Sequence, residues 1–369
     1  MNLSNLKSIL LVYLLVSGTS LFAKANYGIR SSMEIKAFSV ESKQVNAKVF
    51  RYRMIFEKDF PIYENLTVNV KGGFDLEAGS NSSSVIDEYA PQNQFVLKNA
   101  SLDWKPLRFL TFKAGALNQG KGHPLLKPNA PFIGVSEKVE LELTKQHTFY
   151  LKLQQLIPNN YFLANRIGPI LGDQGTPTYF DETIGTRLVG DILSLTAEVT
   201  HFQYNDLSPT VAYQSQFIGN SISGGGELNS DFLYGFEGYS FFSHVELHFN
   251  NDFGLDFGGR YLYNDKAPDN RNSGHTLSVG AKIFDKVIYF GTFENRSDSS
   301  PAFYNSGNYG HNNMEGYAIA FRNYRSMSDT KRPVIEYNID YVHKDPIETN
   351  IFQSSEDRIL VSLKKNFSI

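Results

Sequence analysis

The side chains of this sequence that could do chemistry are charged residues that alternate with apolar ones. Between Asn65 and Ala78, every second position is apolar or glycine, and the positions in between include Lys71, Asp75 and Glu77. A period of two predicts a β-strand with one apolar and one polar face. Charges on the polar face could line an aqueous path or simply be solvated, and the rest of the chain must decide between these two roles.

The sequence contains partial matches to motifs for nucleotide and metal binding, but each lacks a required residue or spacing. Gly115–Lys121 has the spacing of a phosphate-binding loop, but Gly122 replaces the Ser or Thr that would hold Mg²⁺. Asp265–Asn272 is rich in oxygen atoms but lacks the final Glu of a calcium loop. His244 and His248 share a strand face at a spacing that is not a zinc motif, and no H-E-x-x-H or G-x-S-x-G sequence occurs. We therefore expect no catalytic residue, no metal and no cofactor.

The elements that position the charges are strands, because the same alternation recurs along the whole chain. It predicts sixteen of them, although the exact count is open between fourteen and eighteen: Ile29–Val40, Val45–Lys58, Asn65–Ala78, Gln94–Trp104, Arg108–Leu117, Val135–Thr144, Thr148–Leu156, Thr183–Val189, Leu193–Tyr204, Phe232–Phe249, Gly254–Tyr263, His275–Ile283, Val287–Glu294, Met314–Tyr324, Val334–Val342 and Arg358–Ile369. We expect Asp59-Phe60-Pro61 to end the second strand and a bulge near Ser243. Arg51 and Arg53 leave it ambiguous which face of the second strand is the apolar one.

Composition and the first residues set limits on the class of protein. The 369 residues include 35 basic and 38 acidic side chains and no cysteine, so neither nucleic-acid binding nor a disulfide framework is indicated. A lysine in Met1–Lys7, an apolar run at Ser8–Val16 and an A-x-A site at Ala23–Ala25 predict a signal peptide. We expect residues 1–25 to be removed and residues 26–369 to form one domain.

The connections between strands predict a transmembrane barrel. Links after even-numbered strands are short, whereas those after odd-numbered strands from the third onward run from about ten to more than twenty residues. Short periplasmic turns at one rim and long extracellular loops at the other are typical of outer-membrane barrels. In hydrocarbon, an open sheet edge would leave unpaired amides, so the sheet must close. The fold class is therefore all-β, a transmembrane antiparallel up-and-down β-barrel. A soluble sandwich would not need such long strands, and a propeller would show a repeat of about 40–50 residues, which the sequence lacks.

With its leader, sixteen alternating strands and a last strand carrying Phe367, the chain resembles Gram-negative outer-membrane porins of the general diffusion type. It departs from them at its end, where Ile369 stands in place of a terminal phenylalanine and Lys365 lies on the apolar face. The resemblance implies an outer-membrane location, contact with membrane lipids, recognition of the C-terminal strand by the barrel-assembly machinery, and a possible homotrimer. It also implies a loop folded into the pore, at Asn118–Gly134, with candidate residues Lys121, His123 and Lys127. The longer loops Asn159–Asp181 and Asn205–Asn229 are competitors.

Charges of both signs fall on the face opposite the apolar one, and a lumen lined in this way must hold water. The expected function is passive diffusion of small hydrophilic solutes and ions, without enzymatic activity. The alternatives are an outer-membrane phospholipase or protease and a substrate-specific channel. The pore-lining candidates are Lys71, Asp75, Glu77, Lys113, Glu140, Glu142, Lys152, Arg187, Glu198, Asp256, Arg260, Arg322, Glu336 and Asp340.

Overall fold

The computed structural model describes residues 28–82, 91–118, 131–158, 175–250, 252–304, 311–323 and 335–368. Its strands are β1 (Arg30–Ser42), β2 (Asn46–Tyr63), β3 (Leu66–Asn81), β4 (Gln94–Leu107), β5 (Leu110–Asn118), β6 (Pro131–Glu142), β7 (His147–Ile157), β8 (Thr178–Val189), β9 (Leu193–Asn205), β10 (Ile222–Ser223), β11 (Asp231–Phe232), β12 (Phe236–His248), β13 (Phe253–Asn264), β14 (Ser273–Ile283), β15 (Lys286–Asn295), β16 (Met314–Asn323), β17 (Ile335–Pro346) and β18 (Glu356–Ser368). Helix α1 spans Pro209–Gln216, and a 3-10 turn spans Ala302–Tyr304.

All strands except β10 and β11 form one closed antiparallel barrel of sixteen strands. Neighbours in sequence are neighbours in the ring, with β12 following β9, and β1 closes the ring against β18 from Arg30↔Ser368 to Ser42↔Glu356. Closure leaves none of the sixteen described barrel strands at an edge with unpaired backbone groups. The predicted fold class and strand count are confirmed.

The alternation places apolar side chains outside the barrel and polar ones inside. On β3, Val70 and Leu76 are 39% and 48% exposed, whereas the intervening Asp75 is 0% exposed. Aromatic pairs lie toward both rims, with the stacked pair Trp104–Phe112 near the short turns and Tyr317–Tyr341 near the long loops. An apolar outer band flanked by aromatic rings is the arrangement that suits a bilayer.

Two expectations about strand irregularities are wrong. Strand β2 continues through Pro61 to Tyr63, because the proline lies at a register shift against β3, where a ladder N–H is not needed. The register of β12 runs without a shift against both β9 and β13, so no bulge occurs at Ser243. A shift occurs instead in the pairing of β3 with β4, at Lys71 and Gly72, where Lys98 is left without a partner in the register.

The predicted loop Asn205–Asn229 contains regular structure. Ser208 caps helix α1, since its side chain accepts a hydrogen bond from the backbone N–H of Val211, and Pro209 occupies the first helical turn. Strands β10 and β11 then form a small antiparallel pair, so Phe232, which we expected in a barrel strand, lies outside the barrel sheet. In the described ranges, no helix has the length and apolar character needed to cross a membrane.

The outward position of Leu277 gives a test of the lipid-facing surface. Leu277→Arg is expected to destabilise the barrel by about 2–4 kcal/mol, because the charge would lie near the middle of the hydrocarbon. Urea unfolding in lipid vesicles measures the loss. The neighbouring side chain of Ser278 points into the lumen, so Ser278→Arg should lower the free energy of unfolding much less. Equal costs for the two variants would contradict the assigned faces.

Candidate functional site

The candidate site is the interior of the barrel. The strand register places every charged residue of the predicted pore lining on the inward face: Lys71, Asp75, Glu77, Lys113, Glu140, Glu142, Lys152, Arg187, Glu198, Asp256, Arg260, Arg322, Glu336 and Asp340. Their participation in conduction stays a prediction. The geometry does show how they are held.

On the wall formed by β2 and β3, opposite charges face one another across the sheet. The Arg53 guanidinium donates two hydrogen bonds to Asp75, from Nε to Oδ1 at 2.6 Å and from Nη2 to Oδ2 at 2.5 Å. Arg51 pairs with Glu77 one step closer to the long loops, and Lys71 pairs with Glu57 at 2.9 Å. Planar guanidinium–carboxylate pairs of this kind are strong and hold both side chains in place. This wall is therefore ordered and nearly neutral.

The wall formed by β4 to β9 carries a second set of pairs around an inward cavity of about 300 Å³. The Lys113 ammonium lies 2.8 Å from Asp103, and Lys152 lies 3.4 Å from the fully buried Asp181. The Tyr150 hydroxyl donates to Glu198, two strands away. A contact between β7 and β9 across β8 requires both side chains to project into the lumen.

The wall formed by β16 to β18 and β1 borders a further cavity of about 300 Å³. Arg322 lies 3.4 Å from Asp340, and the Lys364 ammonium contacts Glu336 at 3.0 Å. Near the long loops, Lys344 and Glu356 form a buried pair at 2.5 Å. All three walls thus carry charges of both signs, and two of them border a cavity large enough for water.

Several inward charges were not found by sequence reasoning. Arg51 and Arg53 had an ambiguous phase because apolar residues flank them on both sides. Lys98 lies at the register shift between β3 and β4, where simple alternation fails. Asp181 was assigned to a loop, but β8 begins at Thr178 and buries it completely. A signal for Asp181 was available, because Tyr179, Asp181 and Thr183 continue the alternation of β8 backward.

The mouth of the barrel at the long-loop rim contains an apolar core. Val211 of α1 and Phe303 and Tyr304 of the 3-10 turn join inward-facing side chains from seven barrel strands: Leu117, Phe132, Leu156, Tyr179, Phe202, Tyr204, Phe236 and Leu262. The Tyr304 ring lies 5.4 Å from that of Phe132 on β6 and stacks on Tyr204 of β9 at 5.8 Å. The 3-10 turn follows β15 in the chain, and β15 and β6 are seven positions apart in the ring of sixteen strands. The segment that carries Tyr304 therefore crosses the lumen.

Buried amide side chains fasten the segments of the mouth to one another. The Asn220 side chain donates to the carbonyl oxygens of Ser297 at 2.8 Å and Ser300 at 3.0 Å, and it accepts from the N–H of Ala302 at 2.6 Å. Asn312 donates to the same two carbonyls. Gly219 has a φ of 107°, and a Cβ there would lie 2.1 Å from the Asn312 carbonyl oxygen. Only glycine permits this close approach.

The inward-folding loop expected at Asn118–Gly134 cannot be compared with this arrangement. Its candidate residues Lys121, His123 and Lys127 lie outside the described residues, as do residues 159–174 of one competing loop. The other competitor, Asn205–Asn229, does enter the mouth through Val211. We named this segment as a possibility, but the contribution of Phe303 and Tyr304 was not foreseen.

A buried carboxyl in the mouth predicts a pH effect. Burial raises the pKa of Asp298 above its ordinary 3.8, although hydrogen bonds from Ser221, Asn220 and Ser297 oppose the shift. Because the pKa of Asp298 is raised in the folded state, the carboxyl group stabilises the docked segments of the mouth fully at a pH below 3.8. This stabilisation is lost as the pH rises through the raised pKa. Hydrogen exchange of residues 218–223, corrected for intrinsic rates, should therefore be slower at a pH below 3.8 than at a pH above the raised pKa of Asp298.

The Asp298→Asn variant should lose this part of the pH dependence, because it carries no ionisable group there. Asp269→Asn, in a neighbouring loop, is the matched control and should keep the wild-type dependence. A wild-type profile in the Asp298→Asn variant would contradict the assignment.

Comparisons with known proteins extend the architectural result. No family model and no curated protein matches the sequence. Among solved structures, OprB of Pseudomonas putida aligns with a TM-score of 0.55 at 10% identity, covering 92% of this chain and 93% of that one. OmpF of Salmonella typhi aligns with a TM-score of 0.51 at 12% identity, covering 92% and 97%. The fold is that of the outer-membrane porins.

The porin fold accounts for the closed ring, the strand count and the separation of apolar and charged faces. At 10–12% identity the likeness concerns the fold alone. The crossing segments and the charge pairs of this porin-fold chain must therefore be interpreted from its own residues.

Proposed function

We propose that this chain is a non-enzymatic outer-membrane channel through which small hydrophilic solutes and ions diffuse passively. The observation that carries the proposal is the closed sixteen-stranded barrel with apolar residues outside and paired charges inside. A barrel of this width leaves an aqueous lumen. The crossing segments support a size limit set at the long-loop rim, rather than an unobstructed pore.

Purified protein in a planar lipid bilayer tests the proposal. We expect stepwise increases in ionic current as single barrels insert, and faster liposome swelling with small sugars than with large ones. Circular dichroism and heat-modifiable migration on gels should establish that the barrel is folded. Folded protein without conductance, or with esterase or protease activity, would contradict the proposal.

The inward charges predict an effect on ion selectivity. Arg187→Glu should shift the reversal potential in a salt gradient toward cation selectivity, and Asp340→Lys should shift it toward anions, because each reverses a charge along the path. Arg187 is exposed, whereas Asp340 contacts Arg322. Ser39→Glu, which changes an outward residue of β1, is the control. Unchanged reversal potentials in both inward variants would show that ions do not pass these side chains.

The proposal includes a location and partners. Apolar residues on the outer face suit membrane lipids, and Phe367 on the outward face of β18 is the candidate contact for the barrel-assembly machinery. The long-loop rim would face the exterior of a Gram-negative cell and the short turns the periplasm, after removal of residues 1–25. A homotrimer also remains part of the proposal, and sedimentation in detergent with density matching measures it.

A further inference from the structure

Strands β12 and β13 bring metal-ligating side chains together in the lumen wall. His244, Glu246 and His248 are alternate residues of β12 and face inward, and Asp256 of β13 is the register partner of Glu246. The His244 Nε2 lies 2.8 Å from the Asp256 Oδ2, and the His248 Nε2 lies 3.5 Å from the Glu246 Oε2. His244, Glu246 and Asp256 each offer one ligand atom, and these three atoms lie within 4.8 Å of one another.

The burial of these side chains is graded from the wall to the lumen. Glu246 and Asp256 are 0% and 3% exposed, so two adjacent carboxyl groups lie largely out of water. The side chains of His244 and His248 retain 27% and 16% exposure. Two carboxylates whose oxygens lie within 4.8 Å repel each other, and a bound cation relieves that repulsion. The partly exposed imidazoles leave a route for an ion from the lumen.

The neighbouring cations must be considered as competitors. Arg260, four residues beyond Asp256 on β13, places its guanidinium over the Phe242 ring at 5.0 Å. Lys282 of β14 is the register partner of Gly254, two residues from Asp256. Both face the lumen, and either could compensate part of the carboxylate charge.

We propose that His244, Glu246 and Asp256 bind a divalent transition-metal ion such as Zn²⁺, with His248 within reach as a fourth ligand. Imidazole nitrogen combined with carboxylate oxygen is a ligand set for zinc and its neighbours rather than for Ca²⁺ or Mg²⁺. Zinc at about 2.1 Å from four tetrahedral ligands separates them by about 3.4 Å. This value lies between the shortest contact of 2.8 Å and the 4.8 Å that encloses the three ligand atoms. The contacts made now, such as His244 with Asp256, would be exchanged for bonds to the metal.

Metal binding itself is independent of conduction, whereas its consequence for permeation rests on the proposed function. An ion held at this wall lies beside the path of solutes and adds positive charge to it. Micromolar Zn²⁺ should therefore reduce the cation current reversibly, and a chelator should restore it.

The test is binding of Zn²⁺ and Co²⁺ to untagged, detergent-folded protein. We expect one saturable high-affinity Zn²⁺ per chain by equilibrium dialysis, and visible absorption of bound Co²⁺ that Zn²⁺ displaces. His244→Ala and Glu246→Gln should each weaken binding more than about 100-fold, since even outer-shell losses at metal sites cost 10–100-fold. Glu246→Gln keeps the side-chain shape and guards against misfolding.

The matched control is His147→Ala, which removes a histidine at the short-turn rim that contacts Thr186. It should bind both metals like the wild type. Absence of saturable binding, or equal losses in the control and in His244→Ala, would overturn the metal site. If binding fails while stepwise conductance persists, the channel proposal stands; if binding persists without conductance, the channel proposal fails and the site remains.

Discussion

Replacing residues 208–233 with a short Gly/Ser linker is expected to raise single-channel conductance several-fold. The segment carries Val211 into the apolar core of the mouth, and Asn220 fastens it to the segment that follows β15. Because β9 and β12 are neighbours in the ring, a short linker can join them without changing the barrel. Removing the segment should widen the narrowest cross-section, which limits the current. Planar-bilayer recordings, with sugars of graded size as blockers, measure both quantities.

A point variant at the crossing segment refines this prediction. Tyr304→Ala removes the ring that stacks on Tyr204 and meets Phe132 edge-on, so it should raise conductance partway toward the shortened variant. Tyr304→Phe keeps the ring and should conduct like the wild type. Wild-type conductance in the shortened variant, with a folded barrel, would show that the current does not pass the mouth core.

Breaking the buried pair of Arg53 and Asp75 is expected to cost about 3–5 kcal/mol, since truncation leaves an uncompensated buried charge. The Asp75 side chain is 0% and that of Arg53 10% exposed. Arg53→Ala should therefore lower the free energy of unfolding in urea titrations with lipid vesicles. The double variant Arg53→Met, Asp75→Leu should recover most of the loss, because no charge then remains unpaired.

The control is Arg30→Ala, which removes a pair with Glu57 and Asp59 at the short-turn rim. The Arg30 side chain is 49% exposed, and exposed pairs contribute at most about 1 kcal/mol. A loss below that size for Arg53→Ala would mean that another inward cation, such as Lys98, compensates Asp75. The buried pair would then not be a main support of this wall.

The period of two was sufficient to predict most of the barrel. It located all sixteen strands and the inward face, because a one-residue error in phase would have exposed charges to lipid. The stretch from Asn65 to Ala78 lies almost entirely within β3. The pattern failed where the backbone departs from regular pleating, as at Pro61 and Lys98. At Thr178 the alternation was present, but the start of the strand was assigned to the preceding loop.

The mouth and the metal-ligating cluster were beyond sequence reasoning for another reason. Tyr304 and Phe132 are far apart in the chain, and their contact depends on the diameter of a closed ring rather than on any local pattern. Asp256 meets His244 and Glu246 only through the register of β12 with β13. Alternation gave the face of each side chain but not its height along the barrel axis.

The contacts of Tyr304 also have a consequence for assembly. Its partners Phe132 and Tyr204 lie on β6 and β9, seven and four positions from β15 in the ring, so the contacts require the wall between these strands to be curved. The hydrogen bonds of Asn220 and Asn312 likewise join segments that follow different strands. We therefore expect the mouth to dock after this wall has curved. A barrel whose wall has not yet curved would present these segments, still undocked, to proteases.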